Sequence, residues 1–470
     1  MNLKTLTLFD GTKVCVPDSL NLITSYVLEE QCDWFEDEIK FIRKLIRPKQ
    51  NIIDIGANYG LYTLAMARNI GQSGLLYAFE PCTSTAAILS ESVKANGFNS
   101  VIIEKKALSN EEGKATLTIN ENSELNSINK NSNSSGLSEE VLVTTLDACM
   151  LRFDWKDINF VKIDAEGEEE NIINGGLNFL KYNSPLIQVE IKDGNGLNLG
   201  LVESFRSLGY ISYRLVPGLN VLVPWKENEV PDEFLLNLFC CKQDEAKRLS
   251  NLGLLIEDIK QSSQSTNTLN TAIEKMSPSM EGWANDLIRL PYFAFLNKHW
   301  ADNLCAFDPN LIKVLNLYEI SKTSNSAADR YFALDLAFIT IDELCQKSAG
   351  YLRLSTLARI ARELGYRATA VRALNTLVND IHQTKLIELA EPFLFPSSDF
   401  DSINLDNFEM QLPNFLFGTL LHALEKNDSY STFYSGKKSL DRLNAIKNLG
   451  VVDDEINRRI KLIQNRFNLH

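Results

Sequence analysis

Up to about residue 245, short apolar runs alternate with stretches whose apolar residues recur at helical spacing. This rhythm predicts an α/β domain with a largely parallel sheet. Main strands are predicted at 51–56, 75–80, 101–107 and 160–164, with helices at 84–96 and 168–180. Leu61, Leu64, Ala65 and Arg68 mark a further helix in which only Arg68 is polar. Short strands at 115–119 and 141–145 follow the third main strand, and runs at 186–191, 210–215 and 235–241 close the sheet. Between 122 and 136 the chain passes through Asn, Ser and Lys with few apolar anchors, which predicts a mobile loop.

Beyond residue 245 the β-rich pattern stops. Residues 261–279, rich in Ser, Thr and Asn, read as a linker, so the expected division is 1–245, a linker at 246–282, and a helical domain at 283–470. Leu315, Tyr331, Leu336, Leu352, Leu364, Leu374 and Leu420 are its candidate core positions. Residues 357–374 resemble one helix-turn-helix unit of tetratricopeptide type, but no second copy follows at a fixed period, which favours an irregular all-α bundle.

Composition narrows the function classes. The chain has 470 residues, 44% of them hydrophobic and 23% charged, as expected of a globular protein with two domains. A formal net charge of -14 argues against general nucleic-acid binding, because phosphates need basic surface. No run approaches the roughly 18 apolar residues of a membrane span, and the N-terminus lacks the apolar stretch of a signal peptide, so a cytoplasmic location is expected. The eight cysteines form no C-x-x-C pair, which predicts reduced thiols and no zinc. All four histidines lie in the C-terminal part, so a base in the first half must be a carboxylate, lysine or tyrosine. His299 and His382 enter only if the helical domain reaches the strand ends.

The most specific stretch is Asp54-Ile55-Gly56-Ala57-Asn58-Tyr59-Gly60, between a strand and a helix. Glycines there let the backbone turn tightly and approach a ligand. A dinucleotide fingerprint would have a second glycine where Asn58 stands, and the Asp54 carboxylate would repel a pyrophosphate. An acid suits a cationic ligand, and S-adenosylmethionine carries an ammonium and a sulfonium. Glu80 ends the next strand, 26 residues after Asp54, where a carboxylate can bind ribose hydroxyls. Dehydrogenases use an acid there too, so Glu80 marks a nucleoside rather than one cofactor.

Further candidates lie at the following strand ends. In Lys162-Ile163-Asp164-Ala165-Glu166-Gly167, alternation sets Lys162, Asp164 and Glu166 on one face, with Gly167 permitting a sharp exit. Charged groups on one strand face are costly to bury without partners, although a salt-bridged strand end with helix-capping acids at Glu168 and Glu169 is the bland alternative. Glu190 ends the fifth main strand, beside this group if the strand order is the usual one. Trp34-Phe35-Glu36 precedes a helix-like segment and is read as core, or as a flap over the cofactor.

Taken together, the 54–60 loop, Phe79-Glu80-Pro81, Ala107-Leu108-Ser109, Thr145-Leu146-Asp147, the 162–167 run and Glu190 resemble the FkbM family of S-adenosylmethionine-dependent methyltransferases over roughly residues 34–225. The resemblance implies a class I, Rossmann-like methyltransferase fold with a seven-stranded sheet whose seventh strand is antiparallel. It also implies methyl transfer from S-adenosyl-L-methionine, most often to oxygen, with many relatives acting on sugars or glycosylated metabolites. Asp54, Gly56, Asn58 and Gly60 would surround the amino acid end of the cofactor, Glu80 would hold the ribose, and Lys106 and Ala107 would border the adenine. A sugar hydroxyl is a poor nucleophile, so a positioned base would help. Asp164 is the first candidate, Glu166 and Glu190 follow, and Lys162 would orient the acceptor. A divalent metal held by Asp164 and nearby acids is the less favoured means of activation. The alternatives are a non-catalytic scaffold whose helical half binds a protein partner or an oligomer mate, and a nicotinamide dehydrogenase, which Asn58 disfavours.

Overall fold

The computed structural model describes residues 2–120, 122–129, 137–193, 196–226, 230–257, 284–303, 307–348, 350–402 and 412–469. The chain divides into two compact units. One comprises Met1–Leu215, Leu222–Glu227 and Leu235–Glu257, and the other Val216–Val221, Asn228–Phe234 and Asp258–His470. Of the expected linker at 246–282, residues 258–282 lie outside the described residues, and 246–257 fall in the first unit, where Gln243–Asn251 is helical. No helix among them is long and apolar enough to cross a membrane.

The first unit is built on a sheet of eight strands, β1 (Asn51–Ile55), β2 (Leu75–Phe79), β3 (Val101–Glu104), β4 (Phe160–Ile163), β5 (Leu186–Glu190), β6 (Ile211–Val216), β7 (Val221–Pro224) and β8 (Asn237–Cys241). Their spatial order is β3-β2-β1-β4-β5-β8-β6-β7. Strands β1 to β5 pair in parallel, and β8 runs antiparallel to β5 and β6. Seven strands with the seventh antiparallel were expected; an eighth strand was not. The chain turns back at 217–220 and adds β7 beside β6, with Val221, Leu222 and Val223 fully buried.

Alternation along the strands sends Ile53, Ile55, Val161, Ile163, Ile187 and Val189 into one core, and Ile52, Phe160, Leu186 and Phe239 into the other. The second core is covered by α1 (Asp37–Leu45) and α2 (Leu61–Ile70), whose Phe41, Ile42, Leu64 and Met66 are fully buried. Polar Asp54, Lys162 and Gln188 lie on this face, and the register places Lys162 between the other two.

Three local departures have identifiable causes. The expected strand 101–107 splits. β3 ends at Glu104, and Lys106–Leu108 pairs with 142–144 in a separate four-stranded sheet. The expected helix 168–180 breaks into Glu169–Asn174 and Leu177–Tyr182, because Gly175 and Gly176 allow close approach. A Cβ on Gly175 would lie 2.1 Å from the Ser109 carbonyl oxygen. Within the expected loop, residues 130–136 lie outside the described residues, but Ser127–Asn129 pairs with 116–118 and Ile128 packs on the small core around Leu117.

The second unit is helical. Successive helices α3 (Pro309–Thr323), α4 (Ala327–Lys347), α5 (Tyr351–Leu364), α6 (Arg367–Thr384) and α7 (Leu412–Asp428) pack on their neighbours. Gly365, at φ 91°, turns α5 into α6, giving the expected helix-turn-helix. Leu315, Tyr331, Leu352, Leu364, Leu374 and Leu420 are buried, and Leu336 is half-buried. Arg359 is enclosed with Glu363 and Asp401, while His299 and His382 are exposed.

Of the described glycines, Gly56 leaves the least room for a side chain. Its φ is 77°, and a Cβ there would lie 1.7 Å from the Asp164 carbonyl oxygen. Gly56→Ala should therefore destabilise the unit by roughly 3 kcal/mol or more, combining left-handed strain with a backbone clash. Chemical denaturation checks this, and a loss below about 1 kcal/mol would contradict it.

Candidate active site

The glycine loop is held from below by strand β2. The Gly56 and Ala57 N–H groups donate to the Phe79 carbonyl at 3.1 and 3.0 Å, and Gly60 N–H closes the turn on the Ala57 carbonyl at 2.9 Å. Asn58 has φ 49°, and its side-chain oxygen accepts from Ser123 Oγ at 2.8 Å. Gly60, at φ 94°, starts α2 with its Cα against Leu89. The loop N–H groups also organise Glu80, whose two carboxyl oxygens accept from Asn58 N–H and Cys82 N–H, both at 2.9 Å. Burial pushes the Glu80 carboxyl up to about 7 against those two hydrogen bonds.

Asp54 is fully buried. One of its oxygens accepts from Thr63 Oγ1, and Oδ1 has no hydrogen-bond partner. Burial raises its pKa, and the nearby Lys162 ammonium opposes the rise. Lys162, only 3% exposed, donates from Nζ to Asp164 Oδ2 at 2.5 Å and sits 4.7 Å from the centroid of the Tyr62 ring. Burial works against its charge, but Asp164, Asp54 and Glu36 outweigh burial and raise its pKa. The same ammonium overcomes the burial of Asp164 and holds that carboxyl below its ordinary value.

Glu190 is hydrogen-bonded to Asp164 and pushed strongly upward, first by burial and then by the Asp164 charge. The two carboxyls thus share one proton, donated by Glu190 and accepted by Asp164. Glu166 lies just past the strand at φ 49°, exposed. Desolvation, then the Asp164 and Glu169 charges, push it up to about 8. Strand alternation has already ended there, so the single face predicted for Lys162, Asp164 and Glu166 holds for the first two, and a left-handed turn carries Glu166 to the others. Glu168 and Glu169 are structural. Glu168 accepts from Ser109 Oγ and Asn171, and Glu169 from the Ala165 and Gly167 N–H groups.

One carboxylate oxygen from each of Asp164, Glu166 and Glu190 lies within 4.8 Å of the others, a spacing that accommodates a hard divalent cation. Asp164 already serves an ammonium and a shared proton, and a cation held between it and Glu190 would have to displace that proton. The donor set fits S-adenosylmethionine better. An unpartnered buried carboxylate oxygen at Asp54 suits a cation, and each Glu80 oxygen keeps a lone pair for a ribose hydroxyl. Ala107 is buried in the small sheet beside the half-buried Lys106.

Residues that the strand-end reading missed complete the site. Tyr62 Oη donates to Glu36 Oε2 at 2.6 Å, Trp34 Nε1 donates to Glu36 Oε1 at 2.7 Å, and Asn237 Nδ2 donates to Glu36 Oε2 at 3.2 Å. Gln188 Nε2 reaches Tyr62 Oη at 3.3 Å. The available signal was polar Gln188 and Asn237 inside otherwise apolar strands. Trp34 and Phe35 are half-buried with ring centroids 4.5 Å apart, and Trp34 packs on the core.

This arrangement of glycine loop, ribose-type acid and acidic strand end has a counterpart among known families. Residues 54–212 match the methyltransferase FkbM domain. Over 143 residues the chain is 25% identical to Methyltransferase 1 of Beauveria bassiana (strain ARSEF 2860), covering 26% of this chain and 57% of that protein. The chain therefore spans little more than half the length of that curated relative. Among solved structures, an FkbM methyltransferase from Methylobacillus flagellatus KT is similar over 43% of this chain and 50% of its own, at 12% identity and a TM-score of 0.28. An S-adenosylmethionine-dependent O-methyltransferase from Thermotoga maritima is similar over 51% and 77%, at 16% identity and a TM-score of 0.28. All six cofactor candidates and Lys162, Asp164, Glu166 and Glu190 fall inside the FkbM match, whereas Glu36 and Asn237 fall outside it.

Removing the Lys162 ammonium from this acidic site should be costly. Lys162→Met leaves Asp54 and Asp164 uncompensated and should cost about 3–5 kcal/mol near neutral pH. Without Lys162 both carboxyls titrate above their unfolded values in the folded state, so the deficit should shrink as pH falls and they protonate. Thermal unfolding of both proteins at about pH 5 and about pH 8 checks this; an equal deficit at the two values would contradict it.

Proposed function

We propose that the first unit is an S-adenosylmethionine-dependent methyltransferase acting on a hydroxyl oxygen of a sugar or glycosylated small molecule. The observation that carries this reading is the contact between Gly56 and the Asp164 carbonyl. It makes the cofactor loop and the carboxyl cluster walls of one site. Asp54, Gly56, Asn58 and Gly60 would hold the amino acid end of the cofactor, Glu80 the ribose, and Ala107 the edge of the adenine. When bound, the cofactor supplies a methyl group activated by its sulfonium.

The protein's own contribution is alignment and proton removal. Asp164, fixed by Lys162, accepts a hydrogen bond from the acceptor hydroxyl and orients it. Its lowered pKa makes it a weak base, so the base role moves from Asp164 to Glu166, whose pKa of about 8 lies close to neutral. Glu166 would take the hydroxyl proton as the acceptor oxygen is methylated, with S-adenosylhomocysteine leaving. The proton shared with Asp164 keeps Glu190 neutral, so it adds no second negative charge beside the acceptor. A carboxylate-lined site favours a polyhydroxyl acceptor over a phosphate or carboxylate, which it would repel. Intact Asp54, Gly56, Gly60 and Glu80 count against the non-catalytic scaffold.

Methyl transfer from labelled cofactor to neutral glycosides tests this reading. Glu166→Gln should lower kcat about 10²–10⁴-fold while affinity for S-adenosylhomocysteine stays near wild type. Unchanged kcat would remove Glu166 as base.

Cofactor affinity should also follow the Glu80 titration. The carboxylate is the form that accepts both ribose hydroxyls, and its pKa of about 7 means that affinity rises with pH until that value and then levels. Below it, the dissociation constant for S-adenosylhomocysteine should rise about tenfold per pH unit. Calorimetry across this range checks the slope. A flat profile in the wild type would contradict ribose binding by Glu80.

A further inference from the structure

We infer that Glu36 and Tyr62 form a positioning relay that fixes the Lys162 ammonium against Asp164, so that the working site extends beyond the matched segment to residues 36 and 237. The inference deepens the methyltransferase reading and rests on it for its kinetic part. Lysine is a compact charge on a flexible stem, and nothing in its covalent geometry fixes where the ammonium sits. Here one wall is the Tyr62 ring, 4.7 Å from Nζ, and the opposing anchor is Asp164 Oδ2 at 2.5 Å.

The ring is in turn held through its hydroxyl, which donates to Glu36 Oε2 and receives Gln188 Nε2. Glu36 is clamped by Trp34 Nε1 and Asn237 Nδ2. Asn237 is the residue opposite Glu190 in the antiparallel β5–β8 ladder. The relay therefore closes a loop, from Glu36 through Tyr62 and Lys162 to Asp164, across the shared proton to Glu190, and back through the strand pair and Asn237 to Glu36. A shift at Glu36 reaches Asp164 from two sides. Neither Glu36 nor Tyr62 touches the reacting atoms in this scheme, so both are positioning residues.

Tyr62→Phe keeps the ring beneath the ammonium and removes the hydroxyl's links to Glu36 and Gln188; Glu36→Gln removes the charge and one acceptor. If the relay operates, each variant should lower kcat about tenfold or more with both KM values within about twofold, and the double variant should be no slower than the slower single one. Multiplying losses, or a lower melting temperature with kcat intact, would reduce these contacts to structural support and overturn the inference. Should Glu36→Gln fail to fold, the kcat and KM split in Tyr62→Phe decides the point alone. The second measurement does not need turnover. The ¹⁵N resonance of the Lys162 ammonium, identified by its loss in Lys162→Met or, if that variant is too unstable, Lys162→Arg, should move in Tyr62→Phe. Movement with no methyl transfer in the wild type would sink the functional reading and leave the relay standing; an unmoved resonance would sink the relay.

Discussion

Everything at the candidate site depends on the buried ammonium of Lys162. An isolated ammonium at 3% exposure would lose its proton or unfold its surroundings, because burial without a partner costs far more than a domain's net stability allows. It stays charged because Asp164, Asp54 and Glu36 converge on it, and it keeps Asp164 ionised in return. That charged Asp164 then adds to burial in pushing the Glu190 carboxyl up, so the lysine reaches the second carboxyl through the first.

The sheet makes this convergence obligatory. Parallel register sets Asp54, Lys162 and Gln188 side by side on adjacent strands, one layer below the strand ends. The next layer up holds Gly56, Asp164 and Glu190. Only glycine fits at 56, since the Asp164 carbonyl occupies the space a Cβ would need. A turn required by backbone packing and a pair of carboxyls required by strand geometry thus arise from the same contact. The two halves of the site cannot move apart without separating β1 from β4.

What the sequence disclosed follows from which interactions are local. The strands were legible because each is a short apolar run, and Asp54, Lys162 and Glu190 stood out as charges inside or at the end of such runs. The glycine loop was legible because its chemistry lies within seven residues. Tyr62 was hidden among the apolar positions of α2, where a phenol looks like core until its hydroxyl is seen to point at Glu36. Glu36 was noted only within a core or flap segment, and its contact with Asn237 was hidden by separation, since the two meet only after the sheet has formed. The break at Gly175-Gly176 and the split after Glu104 escaped because periodicity records burial but not the close approach of another backbone. The added strand β7 escaped because three buried residues after a turn resemble any loop with apolar content.

The cluster also argues against a purely structural origin. Five carboxyls, Glu36, Asp54, Asp164, Glu166 and Glu190, lie around one ammonium, and burial or mutual repulsion raises four of them while only Asp164 is lowered. A site selected for stability alone would match one base to one acid, or replace both with apolar groups of the same shape, which is often neutral or stabilising. Here adjacent carboxyls are driven to opposite protonation states. Under the proposed function, a hydrogen-bond acceptor at Asp164 and a base at Glu166 would then coexist at one pH, with Glu190 kept neutral by the proton it shares. Activation of a hydroxyl calls for acceptor and base together, and the stability given up is the physical reason to read the cluster as chemistry.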